Sequence, residues 1–122
     1  MIVHNKERCP RRERSGLVSR ILLQQGDLLD LRLMTTWVDV AAGSRQRLHN
    51  HPSEQVYVIT AGRGTMAVGD ERQEVAGGDL VYVPPNIIHG VENSSKEVLT
   101  YISAATPAMD AEAAYDTGQL RS

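Results

Sequence analysis

Between Gly16 and Ser103 turn-forming residues interrupt the chain every few positions, and the runs they separate are short and rich in β-formers. The runs that read as strands are Leu17 to Leu23, Leu29 to Val40, Arg45 to His51, Glu54 to Ala61, Thr65 to Val68, Arg72 to Val75, Asp79 to Val83, His89 to Glu92 and Val98 to Ser103. Many short strands at this spacing predict an all-β sandwich or barrel rather than βαβ units. Gly69-Asp70 predicts a tight hairpin, because glycine supplies the positive φ that such a turn requires. The chain of 122 residues fits one domain. Thirteen basic and fifteen acidic side chains leave a formal charge of −2, which gives no field for gripping nucleic acid. No apolar run approaches the roughly 20 residues of a bilayer span. Met1 to Arg14 is charged and lacks a signal-like apolar stretch, so the expected compartment is the cytoplasm. One cysteine, Cys9, excludes an internal disulfide framework and a cysteine-built zinc site.

The two ends differ from the middle. Residues 1–16 read as a solvated N-terminal arm, with five basic and two acidic residues between Lys6 and Arg14. Residues 17–105 form the β domain. Residues 106–122 read as a short C-terminal helical tail, capped by Thr106 with Pro107 at its first position and ended by Gly118.

Chemistry concentrates in two segments, Gly43 to Gly62 and Gly78 to Asn93, which hold three of the four histidines. His49 and His51 are two apart, so on a strand they face the same way. Gln55 opens the next strand after the Pro52-Ser53 turn, and His89 follows Pro84-Pro85. On neighbouring strands of one barrel these four side chains converge, as ligands of one divalent metal ion must. Glu54, one residue earlier, is the alternative ligand to Gln55, although strand alternation points it away. The same parity places Arg45 and Arg47 inside and Gln46, Leu48 and Asn50 outside. Arg47 would then face an anionic substrate, with pairing to a barrel acid or reach into solvent as the equal alternative. Tyr57 and Tyr82 are candidate proton donors, with core packing as the alternative for each. Trp37 reads as core or interface, and His4 and Cys9 carry no expected role.

These segments resemble the two signature motifs of the cupin superfamily, G-x5-H-x-H-x3-E-x6-G and G-x5-P-x-G-x2-H-x3-N. Gly43, His49, His51 and Gly62 match the first, and Gly78, Pro84, His89 and Asn93 match the second. The resemblance spans residues 29 to 103, with Asn86 standing where the pattern has glycine and Gln55 where it has glutamate. It implies a double-stranded β-helix, a small jelly-roll barrel holding one divalent metal (Zn, Ni, Mn, Fe or Cu), often as a homodimer. A dimer is also expected because a small barrel leaves strand edges bare and the N-terminal segment can pair across a two-fold axis. Asn86 tolerates a left-handed backbone, and a neutral Gln55 leaves the ion its full charge.

The expected function is a small metalloenzyme acting on an oxygenated, anionic organic substrate by Lewis-acid and enolate chemistry of the isomerase, lyase or cyclase type. His51 to Gln55 is similar to the same run in small cupins that linearise unsaturated uronates and in cupin-type polyketide cyclases. The last strand, however, carries no acid or arginine of the kind the uronate family uses. A cupin dioxygenase using iron or copper and a non-catalytic small-molecule binding module are the alternatives.

Overall fold

The computed structural model describes residues 1–109. Nine strands build it: β1 (Arg11–Arg14), β2 (Leu17–Leu23), β3 (Met34–Val40), β4 (Glu54–Ala61), β5 (Arg63–Val68), β6 (Glu71–Ala76), β7 (Leu80–Val83), β8 (His89–Glu92) and β9 (Leu99–Thr106). They form a six-stranded sheet in the order β1-β2-β3-β9-β4-β7 and a three-stranded sheet in the order β6-β5-β8. Every paired strand is antiparallel. Among the described residues no helix is long and apolar enough to cross a membrane.

Alternation along the strands decides what lies between the sheets. In β3, Met34, Thr36, Val38 and Val40 are buried while the residues between them are only half-covered, and β9 buries Leu99, Tyr101, Ser103 and Ala105 in the same way. Leu17, Val38, Tyr57, Ile59, Met66, Val83, Val91 and Leu99 make one apolar core at one end of the interior. Towards the other end the inward positions turn polar, with Ser19, Thr36, Gln46, Gln55 and Ser103 all buried. Buried polar side chains of this kind need hydrogen-bond partners inside the barrel.

Several expected elements hold. β2, β4 and β8 match their expected spans, and Gly69, with φ of 57°, turns the β5–β6 hairpin. Other expectations need correction. The expected strand from Leu29 begins only at Met34, because Asp30 adopts φ of 58° in the preceding turn. Arg45 to His51 is not a continuous strand; it touches β8 through two bridge pairs, Arg45 with Glu92 and His49 with His89.

The N-terminal arm is not free. Lys6–Arg8 form a 3₁₀ turn capped by Asn5, and β1 pairs in register with β2 of the same chain, Arg11 opposite Arg20 and Arg14 opposite Leu17. An edge strand tolerates, and is protected by, a run of charged side chains, so the charge that suggested a solvated arm also suits an edge. Trp37 lies on the outer face of β3 with Lys6 Nζ 5.2 Å from its ring centre. The C-terminal helix does not start where expected: Thr106 ends β9, and residues 107–109 are not helical. Ala108 and Met109 pack instead against Ile21 and Met34. The remainder of the expected helix, including Gly118, lies outside the described residues.

Candidate metal centre

His49 and His89 are held opposite one another by the backbone. His49 N–H donates to His89 O at 3.1 Å, and His89 N–H donates to His49 O at 2.9 Å. This pair brings the ring centres to 4.4 Å, with His51 4.8 Å from His89 and 5.8 Å from His49. The segment from His51 is tied in turn to the 84–87 turn, where Asn86 N–H donates to His51 O at 2.8 Å. Asn86 sits at φ of 66°, the left-handed conformation that asparagine tolerates where the family pattern has glycine.

Each imidazole is oriented by a carbonyl two residues away. Nδ1 of His49 meets Arg47 O at 2.7 Å, Nδ1 of His51 meets Ser53 O at 2.9 Å, and Nδ1 of His89 meets Ile87 O at 2.8 Å. A carbonyl oxygen only accepts, so all three rings carry their proton on Nδ1 and present a bare lone pair at Nε2. The three rings offer one ligand atom each within 4.8 Å of one another.

Gln55 completes the cluster. Its position on β4, opposite Val83 and Ala105, turns it inward, while Glu54 is exposed. Gln55 Oε1 lies 2.9 Å from Nε2 of His51 and 3.2 Å from Nε2 of His89. With the Nδ1 protons on the carbonyls, Oε1 and the two Nε2 atoms can all offer lone pairs, an arrangement that a cation between them would satisfy. His49 Nε2 is buried and has no hydrogen-bond partner among the described residues. Leaving such an atom unsatisfied costs about 1–3 kcal/mol, which an ion removes. Burial, outweighing the Arg47 carbonyl, lowers the pKa of His49 to about 4. Burial likewise lowers that of His89 to about 4 against the Ile87 carbonyl. Both rings are therefore neutral at pH 7, the state a metal requires. Three imidazoles and an oxygen suit a borderline ion such as zinc, nickel, iron or copper.

The surroundings depart from the sequence expectations. Arg47 is exposed and points out of the barrel, as does Arg45, whereas Gln46 is buried. Period-two parity fails because the segment is not a regular strand: Gln46 and His49, three apart, both face inward. Arg47 contributes to the cluster only through its carbonyl. Tyr82 lies opposite Val56 on β7 and is 51% exposed on the outer face, so it does not reach the cluster; Val83 takes the inward position.

Tyr57 is fully buried, its ring 5.9 Å edge-on from His89 and stacked at 4.5 Å on Tyr101. Its hydroxyl donates to Gln46 Oε1 at 2.8 Å, and Gln46 Nε2 donates to Tyr101 OH at 3.3 Å. Asn93 is fully buried. Its Nδ2 donates to Val40 O at 3.0 Å and Glu97 O at 2.7 Å, which knits the loop after β8 to β3.

Sequence reasoning missed the polar wall beside the cluster. A cavity of about 20 Å³ lies among Ser19, Thr36, Gln46, Gln55, Tyr101 and Ser103, with Met34 and Met109 at one end. Thr36 and Ser103 hydroxyls bond each other at 2.5 Å. The alternation of β3 and β9 carries this signal, since each hydroxyl falls in phase with buried apolar neighbours.

A β-barrel with three inward imidazoles and an amide oxygen is a cupin arrangement whose histidines could hold a metal ion. The family comparison agrees: residues 36–105 match the Cupin_2 model, described as a cupin domain, and the chain belongs to that family. An uncharacterized protein of Methanocaldococcus jannaschii is 33% identical over 95 residues, 77% of this chain and 76% of that protein. A predicted oxalate decarboxylase from Thermotoga maritima superposes with a TM-score of 0.78 at 17% identity, covering 87% of this chain and 99% of that one. KdgF from a Halomonas species gives 0.77 at 18% identity, covering 92% and 98%. At such identities these two structures establish the shared fold alone.

Proposed function

We propose that the protein is a divalent-metal cupin enzyme that acts on a small, oxygen-rich, anionic molecule by Lewis-acid and enolate chemistry, as an isomerase, lyase or cyclase. The observation that carries this reading is the convergence of Gln55 Oε1 on the Nε2 atoms of His51 and His89, with the Nε2 of His49 buried and unpartnered beside them. Bound there, a divalent ion supplies a Lewis acid that polarises a carbonyl and stabilises charge developing on its oxygen.

The chain's own residues do the rest. Three backbone carbonyls fix the rings, so the ligands are set before anything binds. None of the four side chains is a carboxylate, and the walls of the adjoining cavity carry no charged side chain. This ligand set would leave a bound divalent ion its full charge, which, rather than Arg47, would favour an anionic substrate. Gln46, Tyr101, Ser103 and Thr36 offer hydroxyl and amide groups to substrate oxygens. The cavity as it stands has room for about one water, so a substrate must displace side chains at the Met34 and Met109 end.

The test is proton exchange. Protein loaded separately with zinc, nickel, manganese, iron or copper is incubated anaerobically in deuterated water with 2-oxo acids and 1,3-diketones. Metal-dependent deuterium incorporation at the acidic carbon is expected, and it should disappear in His89→Ala. In a parallel aerobic incubation, turnover only with iron or copper, accompanied by oxygen consumption, would establish the dioxygenase reading instead. Retention of these probes with neither exchange nor turnover would mark a binding module.

A further inference from the structure

The outer face of the three-stranded sheet carries a second concavity, separate from the barrel interior. Its volume is about 610 Å³, within the range of roughly 300–1,000 Å³ typical of small-molecule sites. The register explains the hollow. Arg72 on β6 lies opposite Ala67 on β5, which lies opposite Gly90 on β8, so two very small residues floor the row. Gly90 lets the 45–48 segment lie against β8: a Cβ there would stand 3.2 Å from both Gln46 O and the Leu48 side chain. That segment sends Gln46 and His49 inward, which leaves Arg45 and Arg47 facing out beside the same hollow.

Arg45, Arg47 and Arg72 all line this concavity, and none of their guanidinium groups makes a hydrogen bond or ion pair with any described residue. Glu92 is the one acid among the lining residues, so three guanidiniums face a single carboxylate. This local excess of two positive charges occurs on a chain whose formal charge is −2. Ser44 and Thr65 add hydroxyl donors to the wall. Guanidinium forks match the paired oxygens of phosphate and carboxylate groups.

We propose that this groove is a binding site for a small dianion, a phosphate monoester or a dicarboxylate. The site stands independently of the metal centre, since none of its cationic groups faces the barrel interior.

The experiment is calorimetric titration of the full chain with inorganic phosphate in one arm and malonate in the other, at low chloride. Amide chemical shifts read out which residues respond. Saturable binding of at least one anion is expected, with shifts at Thr65, Ala67 and Gly90. Arg72→Gln and Arg45→Gln should each weaken it about tenfold through loss of a charge-assisted pair. Ala67→Leu, which raises the floor without changing charge, should abolish it while metal uptake is retained. Preference for phosphate or malonate identifies which dianion the groove takes. Absence of saturable binding below about 10 mM, binding undiminished in Arg72→Gln and Ala67→Leu, or binding that requires the metal and shifts His51 and Gln55 instead would overturn the proposal.

Discussion

Gln55 Oε1 stands 2.9 Å from Nε2 of His51, on a residue where the family pattern places a carboxylate. An amide oxygen ligates without neutralising the ion, so the exchange of one side chain tunes both affinity and acidity. Gln55→Glu should bind zinc about tenfold or more tightly, because a charge-assisted bond replaces a neutral one. Gln55→Leu should bind it more weakly than the native chain. Competition with a chromogenic chelator measures both, and an unchanged affinity in the two variants would remove Gln55 from the ligand set.

The buried histidines make the metal-free protein sensitive to acid. His49 and His89 have pKa values of about 4 in the folded chain against an ordinary value of 6.5. Below pH 6.5 the unfolded chain takes up protons that the folded chain refuses until about pH 4. Stability should therefore be level above pH 6.5 and fall as the pH drops from there towards 4. Urea unfolding of the apoprotein from pH 8 to 4 measures the slope, and His49→Asn should flatten it. A stability that rises on acidification would contradict the buried, neutral assignment.

Tyr57 serves the site from behind. Tyr57→Phe leaves Gln46 Oε1 without this donor in a buried place, at a cost of about 1–3 kcal/mol. A lower Tm is expected, with zinc affinity retained because Tyr57 is not a ligand. Loss of zinc binding in a folded Tyr57→Phe would show that the tyrosine acts on the ion directly.

Two turn positions should respond in opposite ways. Gly62 has φ of 79°, and a Cβ there would sit 2.4 Å from Val98 O, against backbone that does not yield. Gly62→Ala should be strongly destabilising. Asn86 also has a positive φ, so Asn86→Gly should be tolerated, and Asn86→Val should be destabilised by about 1–2 kcal/mol. Thermal unfolding of the three variants ranks them.

How much of this was legible follows from where regular strands run. Glu54 and Gln55 were separable because β4 is a true strand, so parity put one out and the other in. The same rule failed at Arg47, where only two bridge pairs join the segment to β8 and the backbone between them departs from strand geometry. Gln46 was lost to the site by that error, and Arg45 and Arg47 were assigned to the wrong side. Tyr82 was misplaced for another reason: a tyrosine on a short edge strand has no pattern to distinguish its faces. The hydroxyls of Thr36 and Ser103 were readable by alternation, but small polar residues give no signal of their own. The charged run before Gly16 hid an edge strand, since solvated arms and strand edges favour the same residues.

The central claim is that His49, His51, Gln55 and His89 hold one divalent ion inside the barrel. X-ray absorption at the zinc edge, on protein loaded with one equivalent, tests it most directly. The account predicts three imidazole nitrogens and at least one oxygen at about 2.0–2.2 Å, with one imidazole lost in His89→Ala. An ion bound by fewer than three imidazoles in the native chain, or a spectrum unchanged in that variant, would contradict it.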